Sequence, residues 1–201
     1  MKTRYLFTVS HVHRCAVRGF TLIELMVTIV IAAILMTIAV PSFREIQRNS
    51  ELTSLANTLL AAVNSARGEA MKYSAYAMIV PSEGADWNTG WRVFVDKNMD
   101  KKYKEEDDVL LLEQAAPPSY IRIAGTGSAA GSSPSIIFNA SGYAGVGSTF
   151  SNVTINIKRN DVTGPSYTRR LKISKSGRAR VCRPVADSDA NCSDGSSGDG
   201  S

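Results

Sequence analysis

From Phe20 to Val40 the chain reads FTLIELMVTIVIAAILMTIAV, an apolar run broken by a single charge, Glu24. At about 1.5 Å per residue, a helix of this length reaches about 32 Å, enough to cross the hydrocarbon core of a bilayer. Pro41 ends the run and removes one helical hydrogen bond, which predicts a kink. Beyond it Leu52, Leu55, Leu59, Val63, Ala66, Ala70 and Tyr73 recur at helical spacing, with charged residues between them. The spacing predicts that the helix continues to about Tyr76, its second half lying against a globular domain.

After Pro81 the period changes from helical to alternating. Strands are expected at 91–95, 109–113, 120–123, 135–138, 153–158, 169–174 and 178–181, the last following the turn Lys175-Ser176-Gly177. A polar, charged loop fills the gap up to Asp108, and stretches rich in Gly, Ser and Pro at 124–134 and 141–149 read as connections. Strands in series after one long helix imply an α+β fold with an antiparallel sheet.

The chain has 201 residues, 44% of them hydrophobic, which suffices for one packed domain plus an anchor. Its formal net charge of +5 is unevenly distributed. Lys2, Arg4, Arg14 and Arg18 precede the apolar run with no acid among them, which places that end in the cytoplasm and the remainder outside. Residues 158–183 carry nine bases against one acid, Asp161, whereas the end of the chain adds Asp187, Asp189, Asp194 and Asp199.

The segment Arg18-Gly19-Phe20-Thr21-Leu22-Ile23-Glu24-Leu25 resembles the type IV prepilin processing site. The resemblance implies that a membrane prepilin peptidase cuts between Gly19 and Phe20 and methylates the new N-terminus at Phe20. It also implies that Glu24, a costly carboxylate in lipid, pairs with the positive N-terminus of a neighbouring subunit during assembly. An ordinary secretory signal would lose its apolar stretch on cleavage; here the mature protein keeps it. Such a cut removes four bases and both histidines, His11 and His13, along with Cys15. Without histidine, His-based acid–base and nucleophilic catalysis is excluded, and no metal or cofactor site is expected.

The motifs Gly90-Trp91-Arg92-Val93-Phe94-Val95-Asp96, Ile137-Phe138 with Gly142, and Leu171-Lys172-Ile173-Ser174 leading into Gly177-Arg178-Ala179-Arg180 are similar to those of H-type pseudopilins and FimT/FimU minor pilins. That family is pilin-like: a long N-terminal membrane-anchoring helix packed on a C-terminal antiparallel β-sheet domain. The implied organisation is a leader at 1–19, a transmembrane half-helix at 20–40, an amphipathic half at 41–76, a β-rich domain at 77–192 and a disordered tail at 193–201. The implied location is the bacterial inner membrane, single-pass with a periplasmic domain, assembled with other pilins into a pilus or pseudopilus fibre.

On a strand, Arg178 and Arg180 share one face, and Arg170 and Lys172 alternate likewise across the hairpin. Four cations on one face suit the phosphates of double-stranded DNA, and the scarcity of nearby aromatics makes any such binding backbone-led and sequence-independent. In FimT-like minor pilins a C-terminal GRxR motif is associated with DNA capture for transformation, and Gly177, Arg178 and Arg180 match it. The alternatives are an exposed strand kept polar for solubility and edge protection, or pairing with the Asp-rich tail. Two function classes therefore stand: a FimT-like DNA-capturing minor pilin, or a purely structural subunit that primes fibre assembly for secretion or pilus biogenesis.

Cys182 and Cys192, ten apart in a domain facing an oxidising compartment, are expected to form a disulfide. Asp96, Asn98, Asp100 and Asp107 imitate calcium-loop spacing, but Lys101 stands at the turn-glycine position and Lys97, Lys102 and Lys104 oppose a cation, so a solvated turn is expected. The glycines at 125, 127 and 131 lack the spacing and the following helix of a nucleotide loop.

Overall fold

The computed structural model describes residues 19–146, 149–186, 189 and 192. The leader expected at 1–19 (apart from Gly19) and the tail expected at 193–201 lie outside them. The chain divides into two compact units, Met1–Glu45 and Ile46–Ser201.

One helix, α1 (Leu22–Tyr73), runs unbroken through Pro41. In the first unit its apolar side chains, Leu22 through Phe43, are exposed, and the helix is long and apolar enough to cross a membrane. In the second unit the same helix buries Leu52, Ala56, Leu59, Ala62, Val63, Ala66 and Ala70. The small residues on that stripe let the sheets approach the helix axis closely.

The helix ends earlier than the spacing predicts. Ser74 takes a left-handed φ of 51°, and the Ala75 N–H donates to the Ala70 carbonyl at 3.2 Å. That six-to-one bond is a Schellman-type stop, here without its usual glycine. The residues expected to finish the helix begin β1 (Tyr76–Pro81), which is central in its sheet and buried on both faces, so it carries no alternating pattern.

The other strands are β2 (Trp91–Asp96), β3 (Val109–Gln114), β4 (Ile121–Gly125), β5 (Ile136–Phe138), β6 (Gly145–Val146), β7 (Thr149–Phe150), β8 (Val153–Arg159), β9 (Thr168–Ile173) and β10 (Ala179–Cys182). Among the described residues they form a sheet of order β3-β2-β1-β5, a second of order β10-β9-β8-β4, and the short pair β6-β7. Every pairing is antiparallel, as expected for the α+β class. The pair β6-β7 lies in a stretch read as a connection; two-residue strands are too short to show a period.

One core joins the helix to both sheets. The first sheet contributes Ala77, Ile79, Trp91, Val93, Val95, Ile136 and Phe138; the second contributes Ile121, Ile123, Val153, Ile155, Ile157, Leu171 and Ile173. Two residues of the first sheet, Met78 and Phe94, are buried outside that cluster and oppose each other in register. Tyr103, from the loop between β2 and β3, meets Phe94 edge-on with ring centroids 5.3 Å apart.

A polar network lies at a margin of the core. Arg159, only 2% exposed, forks onto both carboxylate oxygens of Asp161 at 3.0 and 2.9 Å and donates to Asn49 Oδ1 on α1 at 2.9 Å. Arg48 reaches Asp161 at 2.6 Å and lies over the Tyr120 ring, while the Tyr120 hydroxyl donates to Glu51. The arginine pair, Arg159 first, lowers the Asp161 carboxyl from 3.8 to about 2.

Candidate functional site

Gly19 and Phe20, the residues flanking the expected cut, are exposed ahead of α1. Glu24 forms a reciprocal cap with Thr21: the Thr21 N–H donates to its carboxylate at 3.2 Å, and the Glu24 N–H donates to the Thr21 hydroxyl at 3.3 Å. The threonine and the glutamate three residues on are a capping box, which satisfies two N–H groups that would otherwise lack partners. The carboxylate thus sits at the positive end of its own helix.

The basic hairpin is β9, β10 and the turn between them. Arg180 opposes Lys172, and Cys182 opposes Arg170. Ala179 and Val181 pack against the core, so Arg180 and Cys182 occupy the outer face together with Lys172 and Arg170. Arg178 precedes the strand and is exposed, as is Arg180. With Asn152, Val153, Thr154, Ile173 and Ser174, the side chains of Lys172, Arg178 and Arg180 line a groove of about 400 Å³.

The turn that presents these arginines is held tightly. Ser174 N–H donates to the Arg178 carbonyl at 2.9 Å, and the Gly177 N–H to the Ser174 carbonyl at 2.8 Å. Gly177 has φ of 79°, and a Cβ there would collide with the Gly142 carbonyl oxygen. That same oxygen accepts from Arg67 Nε on α1 at 3.0 Å, and the Ala144 N–H donates to the Lys175 carbonyl at 3.0 Å. The glycine of the motif is therefore a packing requirement. Arg67, which no sequence motif singled out, supports the turn from beneath.

The remaining cations of this region have different surroundings. Arg170 Nε donates to Asn156 Oδ1 at 2.9 Å, and its Nη1 donates to the Asp189 carbonyl. Arg169 faces the other way and donates to the Ser166 and Thr168 carbonyls; burial, then the nearby Arg183 charge, lowers its pKa. Arg159 belongs to the core margin. By contrast, Arg122 on β4 and Lys158 on β8 oppose each other on the outer face of the second sheet. Sequence reading counted Lys158 in the basic stretch without placing it on this face, and missed Arg122, although β8 alternates buried and half-buried residues along its whole length.

Cys182 and Cys192 form a disulfide with Cα atoms 5.9 Å apart, on the same outer face as Arg170. The calcium-like loop employs its acids internally. Buried Asp96 accepts from the N–H groups of Asp100 at 3.2 Å and Lys101 at 2.8 Å, and Asp108 accepts from those of Lys97 and Lys104. The Asp100 carboxyl lies below its ordinary value, chiefly through its bond with Lys104. Among the described residues no group of three or more His, Cys, Asp or Glu side chains is poised to hold a metal. The loop is thereby shaped to lay Tyr103 on Phe94.

A family model described as type II transport protein GspH matches residues 55–177, and one described as the prokaryotic N-terminal methylation motif matches residues 14–40. Among solved structures, the Pseudomonas aeruginosa type IV minor pilin FimU is similar in two crystal forms. One has TM-score 0.50 and 21% identity, covering 68% of this chain and 95% of that one; the other has TM-score 0.51 and 20% identity, covering 67% and 98%. The minor pseudopilin EpsH from the Vibrio cholerae Type 2 Secretion System has TM-score 0.48 and 11% identity, covering 66% and 97%. No curated protein matches the chain.

Proposed function

The chain belongs to the type II transport protein GspH family, and from that premise we propose that it is a FimT-like minor pilin whose basic hairpin captures double-stranded DNA at the fibre surface. As a member of that family it is a minor pilin or pseudopilin of a type IV pilus or type II secretion fibre, a structural subunit associating with other pilins, with an apolar helix suited to membrane anchoring. The prepilin peptidase cuts between Gly19 and Phe20 and methylates Phe20, and the domain faces the periplasm. Glu24 then passes from its own helix cap to the N-terminus of a neighbouring subunit. This exchange needs no new charge in the membrane, because the carboxylate already lies beside a helix N-terminus.

The observation that supports DNA capture is the pairing of Arg180 with Lys172 beside Arg178, on a turn pinned by Gly177 and bordering a groove. Guanidinium forks suit phosphate oxygens, and among the described residues none lining the groove is aromatic. With Arg178→Ala and Arg180→Ala combined, the full chain in a neutral detergent should lose binding to duplex DNA in a low-salt mobility-shift assay. Unchanged binding would sink the assignment.

The purely structural reading draws support from one observation: Gly177 is accounted for by packing against Gly142, so the motif's glycine has no need of a ligand. A gene deletion scored together for transformation, twitching and protein secretion separates the two. Loss of secretion alone favours the structural pseudopilin.

A further inference from the structure

We infer that the anion-binding surface is not confined to the hairpin but extends across the whole outer face of the second sheet, with Arg122 and Lys158 forming its far end, and that its partner is a duplex long enough to touch both ends at once. This rests on the DNA-capture reading above.

The register carries the inference. Residues on the outer face align in rows across the four strands: Arg180, Lys172 and Thr154 in one; Cys182, Arg170, Asn156 and Ala124 in the next; Thr168, Lys158 and Arg122 in the third. Cations thus stand at two opposite corners. With strands about 4.8 Å apart and about 6.7 Å for every two residues, Arg180 and Arg122 are separated by roughly 20 Å along the diagonal.

The middle row is occupied differently. There Cys182 is bridged to Cys192, and the Asp189 carbonyl accepts from Arg170. The two cationic rows lie on either side of that row. At the far end neither the Arg122 nor the Lys158 side chain has a hydrogen bond or ion pair to another described residue, whereas Arg48, Arg92, Lys72 and Lys104 each meet an acid. Arg122 also acts on Asp86, whose carboxyl lies below its ordinary value mainly through bonds from Asn88, with a smaller contribution from Arg122.

A lone phosphate or a mononucleotide reaches only one corner. Duplex DNA carries one charge per about 1.7 Å of axis, so a segment as long as the diagonal presents about a dozen charges, enough to meet both corners. Each corner then adds phosphate contacts that release counterions on binding.

The test is the salt dependence of binding to a random-sequence duplex of about two helical turns, measured by fluorescence anisotropy with the full chain in neutral detergent. The Arg122→Ala/Lys158→Ala double variant should lower the slope of log affinity against log salt by about 1.8, or about 0.9 for each lost phosphate contact. Lys101→Ala/Lys102→Ala, which removes the same charge from the loop on the other sheet, should leave the slope unchanged. An unchanged slope in the first variant, while Arg178→Ala/Arg180→Ala still abolishes binding, overturns this inference and leaves the hairpin reading intact. An equal slope loss in both lysine-containing variants also overturns it, since net charge alone then accounts for the effect. Absence of wild-type binding at low salt overturns the hairpin reading itself.

Discussion

The two sheets share a core and an architecture, yet their outer faces are opposites. The first covers the centre of its outer face, while Leu110 on β3 stays exposed: Met78 and Phe94 are buried, Tyr103 lies on Phe94, and the loop that supplies Tyr103 satisfies its own carboxylates. The second leaves its outer face to cations, with Arg122, Arg178 and Arg180 exposed and Lys158, Arg170 and Lys172 half-buried. The difference lies in where the acids go. In the first sheet's loop, Asp96, Asp100 and Asp108 fold onto backbone N–H groups and Lys104. Beside the second sheet, Asp161 is engaged by Arg159 and Arg48 at the core margin.

The contrast can be broken from the covered side first. Phe94→Ala should cost about 3–5 kcal/mol, because it empties a fully buried aromatic site and uncouples Tyr103 from the sheet. Thermal or urea unfolding reads this directly, and a cost below about 1 kcal/mol would show that the loop is not a second layer. Next in size, Asp161→Ala leaves Arg159 buried without its bidentate partner and should cost about 3 kcal/mol.

Gly177→Ala should cost about 2 kcal/mol, since the residue needs a left-handed φ and has no room for a Cβ. It should also weaken DNA binding although it removes no charge, which separates presentation of the arginines from their mere presence. An anisotropy titration at constant salt checks this.

Acid should act on the margin of the core over a window that extends below the ordinary carboxylate range. The Asp161 carboxyl is depressed in the folded protein, so its contribution is fully present above its ordinary value of 3.8 and is lost as pH falls through about 2. Asp161→Asn should therefore flatten the fall in stability between those values, as followed by denaturant midpoints. The smallest expected effect is on the loop: calcium should leave the melting temperature unchanged, because Asp96 and Asp108 already accept backbone N–H groups. A clear upward shift would reopen the loop as a cation site.

Much of the fold was legible because its signals are periodic and local. The apolar run from Phe20 to Val40, the heptad-like stripe from Leu52, and the alternation of Val153 to Arg159 each follow from one residue's relation to its near neighbours. What was not legible depended on longer range. The stop at Ser74 has no glycine or proline to mark it, and β1 is buried on both faces by strands that come later in the chain. The candidate site divides in the same way. Arg178, Arg180, Lys172 and Arg170 could be placed on one face from alternation across a turn, but Arg122 joins them only because β4 is the neighbour of β8.

The sequence by itself determined the processing motif around Gly19 and Phe20, the apolar helix, the antiparallel class and the alternation that segregates Arg178 and Arg180 from Ala179 and Val181. These are properties of contiguous residues, set by side-chain polarity and backbone period. Only the tertiary structure decided which cations share a surface. It withdrew Arg159 into the core margin, tied Arg170 to Asn156 and Asp189, and brought Arg122 and Lys158 onto the same face as the hairpin. The physical reason is that strand order and register are chosen by burial of the inner faces. The outer faces inherit whatever charges that choice places there.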